Sequence, residues 1–545
     1  MTVAAAEYDY VVVGAGSAGA VLAARLTEDP AVRVLVLEAG GPDRHRLMKM
    51  PLGFFPMLRD PGVSWGYKTE PEPYADDRVL PLPRGKVLGG SSSINGMLYG
   101  RGHPRDYDQW RQLGAAGWSY ADVLPYFRRA QASWRGASDY RGASGPLTVS
   151  RHQTDEAIFA TLMAAATNLG HAVATDLDGS EHEGFGKPDF TTHRGRRGST
   201  AVRYLRPAMA RPNLAVEISA LTTRILFEGR RAVGVEYRQD GQVRRARAAR
   251  EVVLCGGAYN SPQILMLSGI GPADELAGAG IAPFHDLPGV GQNLQEHASV
   301  GGVFEPARPI PLIREMRFDR MAIAAVQWWV LGTGTIANLP LACIAFYRSR
   351  PELERPDLEF MVNSTGIDAR VWFPLIRPSR GNAFWATNIL LHPASRGWVR
   401  LRGADPAAPP RIQLNLLKEE SDRATLRWGF RHMREFFATE PAASLVTGER
   451  FPGMAVKTDA EIDAHMRATI GTAHHPVGTC AMGQGREAVV DETLRVRGLD
   501  GLRVVDASVM PTIAGGHTNA VVIMIAEKAA DLIRGKSLAA AEIAA

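Results

Sequence analysis

The stretch Asp9–Gly41, DYVVVGAGSAGAVLAARLTEDPAVRVLVLEAGG, decides the fold. Tyr10 to Val13 is a short apolar run with three successive valines, the composition of a strand buried in a parallel sheet. It breaks at Gly14-Ala15-Gly16-Ser17-Ala18-Gly19, which fits G-x-G-x-x-G. A helical segment with Ala20, Val21, Ala24 and Leu26 follows, and a second apolar run, Val32 to Leu37, ends in Glu38. In such a unit the first glycine makes the turn, the second lets the backbone approach a pyrophosphate, and the third lets helix and strand pack closely. The helix N-terminus offers free N–H groups and a partial positive charge to phosphate. Glu38 stands twenty-four residues after Gly14, near where an acid meets a ribose hydroxyl. Together these features predict a dinucleotide site. The stretch alone leaves NAD and FAD open, because both carry an ADP half.

The chain has 545 residues, which implies two or three domains. Its 45% apolar and 22% charged content is that of a globular protein. A formal net charge of +5, spread over this length, gives no ground for nucleic-acid binding. The basic run Arg244–Arg250 reads as a solvated hairpin or edge strand. Cys255, Cys343 and Cys480 lie far apart with no C-x-x-C or zinc spacing, so no disulfide framework and no metal site is expected. A reducing compartment, the cytoplasm, fits this usage. The opening residues MTVAAAEYDY have no basic n-region and no long apolar stretch, so no secretory signal is expected. Met321 to Tyr347 lacks charge but is interrupted by Gln327, Gly332, Gly334, Asn338 and Pro340, which argues against a membrane span. It predicts a buried helix, a loop and a strand lining a pocket; peripheral membrane contact through an exposed apolar patch is the other reading.

Further along, a loop-rich region with Phe54 and Trp65 is placed over the nucleotide site or a neighbouring pocket. The stretch PRGKVLGGSSSINGM, Pro83–Met97, offers many backbone N–H groups to an anion or a ring edge. Helices are predicted between Asp106 and Arg129, broken at Gly114–Gly117 with Ser119 as an N-cap, and over 155–169. Strands are predicted at 214–218, 222–227, 232–237 and 251–254. A helix is expected to start at Ser261 as N-cap with Pro262 at its first position. Residues 301–465 carry no nucleotide motif and read as a second, mixed α/β region, with strands such as 383–391 and a helix over 422–437.

These motifs, taken with GGAYNSPQILMLSGIG (Gly256–Gly271), DLPGVGQNLQEH (Asp286–His297), AHHPVGTCAMG (Ala473–Gly483) and VVDASVMPTIAGGHTNAVVIMIAEKAADLI (Val504–Ile533), resemble the glucose–methanol–choline (GMC) oxidoreductases, a family of FAD enzymes. The resemblance implies an α/β fold with a discontinuous Rossmann-like FAD-binding domain and a second mixed α/β substrate domain containing an antiparallel sheet. The FAD domain is expected over 1–150, 196–300 and 466–545, and the substrate domain over 151–195 and 301–465. It implies that Gly14, Gly16, Ser17, Gly19, Glu38 and Ala39 hold the ADP half. Gly90, Ser91, Asn95, Gly96 and Met97 are expected along the diphosphate and flavin, Asp506 and Ala507 near the ribityl chain, and Asn519 at the pyrimidine side. Choline oxidase-like members carry a covalently joined histidine where Ile94 stands here, so the FAD is expected to be non-covalent.

Oxidising an alcohol removes a hydroxyl proton and a carbon-bound hydride. The flavin takes the hydride, and histidine suits both the base and the group that holds the alcohol oxygen. The family pattern selects His475 as base, over its neighbour His474, and His517 as partner. A His–His pair is closer to aryl-alcohol oxidase and glucose oxidase than to the His–Asn pair of choline oxidase. Other histidines, including His103, His297 and His392, are expected to be structural. The expected reaction turns a primary alcohol, aromatic or aliphatic, into its aldehyde, with O2 or another acceptor reoxidising the flavin. Hydroxynitrile lyase-like and photodecarboxylase-like activities are the alternatives. Trp328, Trp329, Phe360, Trp372 and Phe373 are candidate pocket-lining aromatics, with aromatic core the safer reading.

Overall fold

The computed structural model describes residues 7–542. The valine run forms strand β1 (Glu7–Val13), the glycine turn leads into helix α1 (Ser17–Leu26), and the second apolar run forms strand β2 (Val34–Leu37). β1 and β2 pair in parallel, Val11 opposite Leu35 and Val12 opposite Val36, and all four side chains are buried. β1 also pairs in parallel with Gln242–Leu254, and β2 with Leu214–Glu217. The strand Leu502–Val504 adds in parallel beside Val252–Leu254. A strand from near the C-terminus thus joins the sheet that the N-terminus begins.

The other half of Gln242–Leu254 turns back in an antiparallel hairpin with Arg231–Gln239, which pairs with Leu221–Glu228. This is the basic run, and it alternates as a half-solvated strand does. Ala246 and Ala248 are buried while Arg245 and Arg247 reach Glu236 and Glu228 in solvent.

A second sheet is antiparallel. Its order is Val446–Phe451, Ala298–Pro306, Phe384–Leu390, Leu358–Asn363, Leu341–Tyr347 and Gly184–Gly186, with Gly471–Thr472 beside Ala298 and Ser299. Helix Glu420–Ala438 covers one face with Leu426, Phe430, Met433 and Phe437, and its Gly429 carbonyl accepts from Asn388 in the sheet. The fold is therefore α/β, a nucleotide-type parallel sheet joined to a mixed unit built on an antiparallel sheet.

Two local expectations are corrected. The helix expected to start at Ser261 runs Gly257–Leu267, with Pro262 inside it. Proline lacks the N–H that would bond the Ala258 carbonyl, and the Thr479 hydroxyl supplies that donor at 2.6 Å. Ser261 instead donates to Asp506 and accepts from the Gly256 N–H. The expected buried helix after Met321 is Phe318–Leu331, but it buries only Ala324 and Trp328. Ile323, Val326, Trp329, Val330 and Leu331 are each at least 65% exposed. The expected strand forms at Leu341–Tyr347, buried in the antiparallel sheet rather than on the wall of the nucleotide-side cavity. No described helix is long and apolar enough to cross a membrane.

The glycine turn leaves no room for a side chain at its end. A Cβ on Gly19 would stand 1.9 Å from the Gly14 carbonyl oxygen and 3.3 Å from Cys255 Cβ. Gly19→Ala should therefore destabilise the protein by roughly 1–3 kcal/mol through overpacking against backbone. Urea unfolding measures this; an unchanged midpoint would show that the turn yields freely.

Candidate active site

Three helices begin at one cavity, and none of their N-termini has a side-chain cap. They are α1 at Gly16, Gly257–Leu267 at Gly256, and Thr518–Ile533 at His517. Uncapped N-termini leave backbone N–H groups free, which is the arrangement that binds a phosphate. The loops between them meet backbone to backbone. A Cβ on Gly90 would lie 2.8 Å from Gly16 Cα, and one on Gly14 would lie 2.5 Å from the Cys255 carbonyl oxygen. The space they enclose is about 1650 Å³, part of it open to solvent. Its wall draws on the first glycine turn, the Pro83–Met97 loop, the Gly256–Gly257 turn and the His517–Asn519 segment together. The donor set and the glycine-lined walls fit FAD.

Every residue expected to hold the cofactor lines this cavity except Gly19, which packs beneath the turn. Glu38 accepts from Ala15 N at 2.9 Å and Gly40 N at 2.8 Å, and burial pushes its carboxyl up to about 7. Asp506 accepts from Gly257 N, Ser261 and Ser508, and burial raises it too. Ser17 donates to Asn519 at 2.8 Å, joining two predicted cofactor residues from opposite ends of the chain. Phe54 and Trp65 line the cavity, as the position of their loop suggested.

The aromatics predicted for the pocket wall do not line it. Phe360 lies in the core and Trp328 is buried with its Nε1 donating to the Gly195 carbonyl. Trp372 donates to the Ile313 carbonyl, and Trp329 and Phe373 are exposed. The aromatic side chains on the cavity wall are those of Phe54, Trp65 and Tyr259 instead.

His475 and His517 face each other across this cavity, ring centroids 5.3 Å apart and planes near perpendicular. His474 lines the wall as well, contrary to the alternation expected of an extended segment. Its backbone is left-handed, with φ of 65°, so neighbouring side chains no longer point to opposite faces. Its ring is engaged by Thr472 and its carbonyl by Arg84.

Two groups that the sequence reading left out set the state of this pair. The first is His297, expected to be structural. Its Nδ1 lies 3.0 Å from His475 Nδ1, and its Nε2 lies 3.0 Å from the Leu391 carbonyl. A carbonyl only accepts, so His297 Nε2 carries the proton. Burial pushes His297 down to about 3, so it is neutral and its Nδ1 is a bare acceptor. His475 must then donate from Nδ1. Burial and the neighbouring His297 and His517 hold His475 well below its ordinary value, so its Nε2 lone pair is free. Glu296 fixes the backbone by accepting from His475 N at 2.6 Å.

The second group is Glu359, in the strand Leu358–Asn363. It is fully buried, and its Oε1 lies 3.1 Å from His517 Nε2. The contact is off the hydrogen-bond line, and neither carboxylate oxygen has another partner among the described residues. A buried carboxylate without donors is costly, and the His517 ring is the group that stands against it. Burial pulls the His517 ring down, but the Glu359 charge outweighs it and raises the ring above its ordinary value. One acid among the apolar residues of the strand LEFMVN was the available signal for Glu359. His297 had the Asp286–His297 motif around it. The site therefore places an imidazole held below its ordinary value beside one held above it. Among the described residues no group of three or more histidine, cysteine or acidic side chains is placed to hold a metal.

This fold and this site match one family. Models of the GMC oxidoreductases match residues 8–299 and 393–526, and the chain belongs to that family. It is an FAD-dependent oxidoreductase acting on CH–OH donors. The chain is 47% identical to the mitochondrial choline dehydrogenase of Homo sapiens, covering 97% of this chain and 90% of that protein. It is 44% identical to the oxygen-dependent choline dehydrogenase of Stenotrophomonas maltophilia, covering 97% and 95%. The crystal structure of pyridoxine 4-oxidase from Mesorbium loti superposes with a TM-score of 0.86 at 30% identity, covering 96% of this chain and 98% of that one.

His517 should hold its proton until the pH rises through its raised value. Glu359→Gln keeps the shape and removes the charge, so that loss should come at lower pH. In the pH profile of anaerobic flavin reduction by an alcohol, the alkaline limb should shift toward acid. The rate at neutral pH should fall by about 10²-fold, the scale of one lost oxyanion donor. A profile that matches the wild type would remove Glu359 from this role.

Proposed function

We propose that the enzyme oxidises a neutral primary alcohol to its aldehyde, with His475 as the base and His517 as the group that holds the alcohol oxygen. The observation that carries this reading is the proton chain from the Leu391 carbonyl through His297 to His475, which leaves His475 Nε2 unprotonated at the cavity. That nitrogen takes the hydroxyl proton. His517, kept charged by Glu359, steadies the negative charge growing on the same oxygen. Gly14, Gly16, Ser17, Glu38, Ala39 and Gly90, with Asp506, Ala507 and Asn519, would hold FAD, which when bound supplies the hydride acceptor. O2 or another acceptor then completes turnover. Three buried, free cysteines support a reducing compartment, the cytoplasm.

The similarity to choline dehydrogenases favours a second reading, choline itself. A quaternary ammonium is recognised by aromatic faces and a nearby negative charge. Among the described residues the acids on the cavity wall are Glu38 and Asp506. Both are bound by backbone N–H groups on the nucleotide loops, and Glu359 faces His517. This supports a neutral substrate. A panel of alcohols, with choline beside its uncharged isostere 3,3-dimethylbutan-1-ol, separates the two by the rate of anaerobic flavin bleaching. The isostere should match or outpace choline; the reverse order would make choline the substrate. In the same assay His475→Ala should slow bleaching by ~10²–10⁴-fold, and near-normal bleaching would remove His475 as base.

We also infer that the FAD is held without a covalent bond. Ile94 stands where a linking histidine would be, buried against Met48, Met57, Val63 and Val87, and it has no atom that can form such a bond. Acid precipitation should leave the yellow flavin in the supernatant; a yellow pellet would overturn this.

A further inference from the structure

Helix Phe318–Leu331 is built to be half bare. Its two buried side chains, Ala324 and Trp328, form one narrow stripe. Met321 and Ala325 pack beside that stripe on Met50 and Leu52. The opposite face shows Ile323, Val326, Val330 and Leu331 to solvent, and Trp329 projects with them. A second apolar element stands at the start of the helix. The loop 366–381 is pinned there by Phe318 N to the Trp372 carbonyl (2.9 Å) and Trp372 N to the Met316 carbonyl (3.1 Å), with the Phe318 and Phe373 rings in contact. At its tip Leu375 is fully exposed and Ile376 nearly so.

The charges around these side chains are net positive. Arg317 and Arg320 are neutralised by Asp319 and Glu315. Arg370, Arg377 and Arg380 sit together on the loop, with Arg380 and Arg377 near enough to repel the charge on Arg370 and Asp368 beside it. At the other end of the helix Arg196 donates to the Trp329 carbonyl at 2.9 Å and lies over the Trp328 ring, with Arg194 next to it. An apolar face with a tryptophan, rimmed by arginines, matches the boundary between acyl chains and anionic headgroups. A second copy of the chain matches it less well, because a two-fold contact would bring the same arginines face to face.

We propose that this face docks the enzyme on an anionic phospholipid bilayer, with Trp329–Leu331 and Leu375–Ile376 in the headgroup–acyl boundary. The inference is independent of the alcohol reading, so it is tested by binding. The turn that carries Met50 and Leu52 runs on into Phe54 and Leu58, which line the cavity. A docked bilayer thus lies beside the cavity wall.

The test uses FAD-loaded enzyme and sedimentation with vesicles of phosphatidylcholine and phosphatidylserine, against vesicles of phosphatidylcholine alone. The enzyme should sediment with the mixed vesicles at low salt and be released at about 0.5 M salt. Arg377→Gln and Arg380→Gln should each weaken partition by about fivefold. Leu375→Asp and Trp329→Ser should weaken it at least as much, and all four variants should keep wild-type flavin reduction by alcohol in solution. Wild-type enzyme that stays in the supernatant, or variants that bind as well as wild type, would overturn the proposal. So would a lipid-free dimer that Leu375→Asp dissolves, since that would give the face to a second copy.

Discussion

A buried carboxylate, Glu527, ties the two ends of the chain together. It has no exposure and accepts from the Arg25 guanidinium at 2.9 Å, the Arg129 Nε at 2.8 Å and the Tyr204 hydroxyl at 2.9 Å. Arg25 lies in the helix that follows the glycine turn, and Glu527 lies in the last helix. Breaking a buried charge pair of this kind costs ~3–5 kcal/mol, so the two helices have one relative position. The last helix begins at His517 and Asn519. The same contact therefore fixes the distance between the phosphate-side loop and one of the two active-site imidazoles. Ser17 and Asn519 repeat the tie at the cavity wall itself.

The site then shifts two like groups in opposite directions. Two imidazoles in one dry cavity would both shed their protons if burial acted alone. Here each ring has a different neighbour. His475 meets another neutral imidazole whose own proton is committed to a backbone carbonyl, so it can only donate from Nδ1. His517 meets a carboxylate that has nothing else to bind. The polarity of the site is thus set by Leu391 and Glu359, residues of the antiparallel sheet and its edge. The rings themselves are presented by loops next to the nucleotide unit. Neither unit of the fold holds the chemistry alone.

This division explains what could be read in advance. The strand–turn–helix–strand unit was legible because its work is done by local backbone, and glycines and valine runs report local backbone directly. The glycine-rich loops expected at the cofactor were legible as loops for the same reason, and of the residues expected there all but Gly19 reach the cavity wall. The two histidines came from motif order. His297 and Glu359 were not legible because their role lies in contacts across 178 residues of chain in one case and between two sheet elements in the other. The misplaced start of Gly257–Leu267 has a like cause. Pro262 is tolerated mid-helix only because Thr479, distant in sequence, supplies the missing donor.

The run after Met321 shows a different limit. Absence of charge was taken as a sign of burial, yet a segment without charge is only one that water does not strongly hold. Burial further requires a partner surface, and Met50, Leu52 and Ile336 provide one wide enough for a stripe, not a face. An ordinary surface helix turns a stripe wider than ~100° to the core and its polar side to water. This helix turns apolar side chains both ways. Selection for solubility works against such a face unless something covers it, and the arginine rim restricts what that can be to a surface of opposite charge. The helix then acts as a plate between that surface and the turn at Met50–Leu58, so that the outermost element of the molecule and the wall of its cavity share one set of packed side chains.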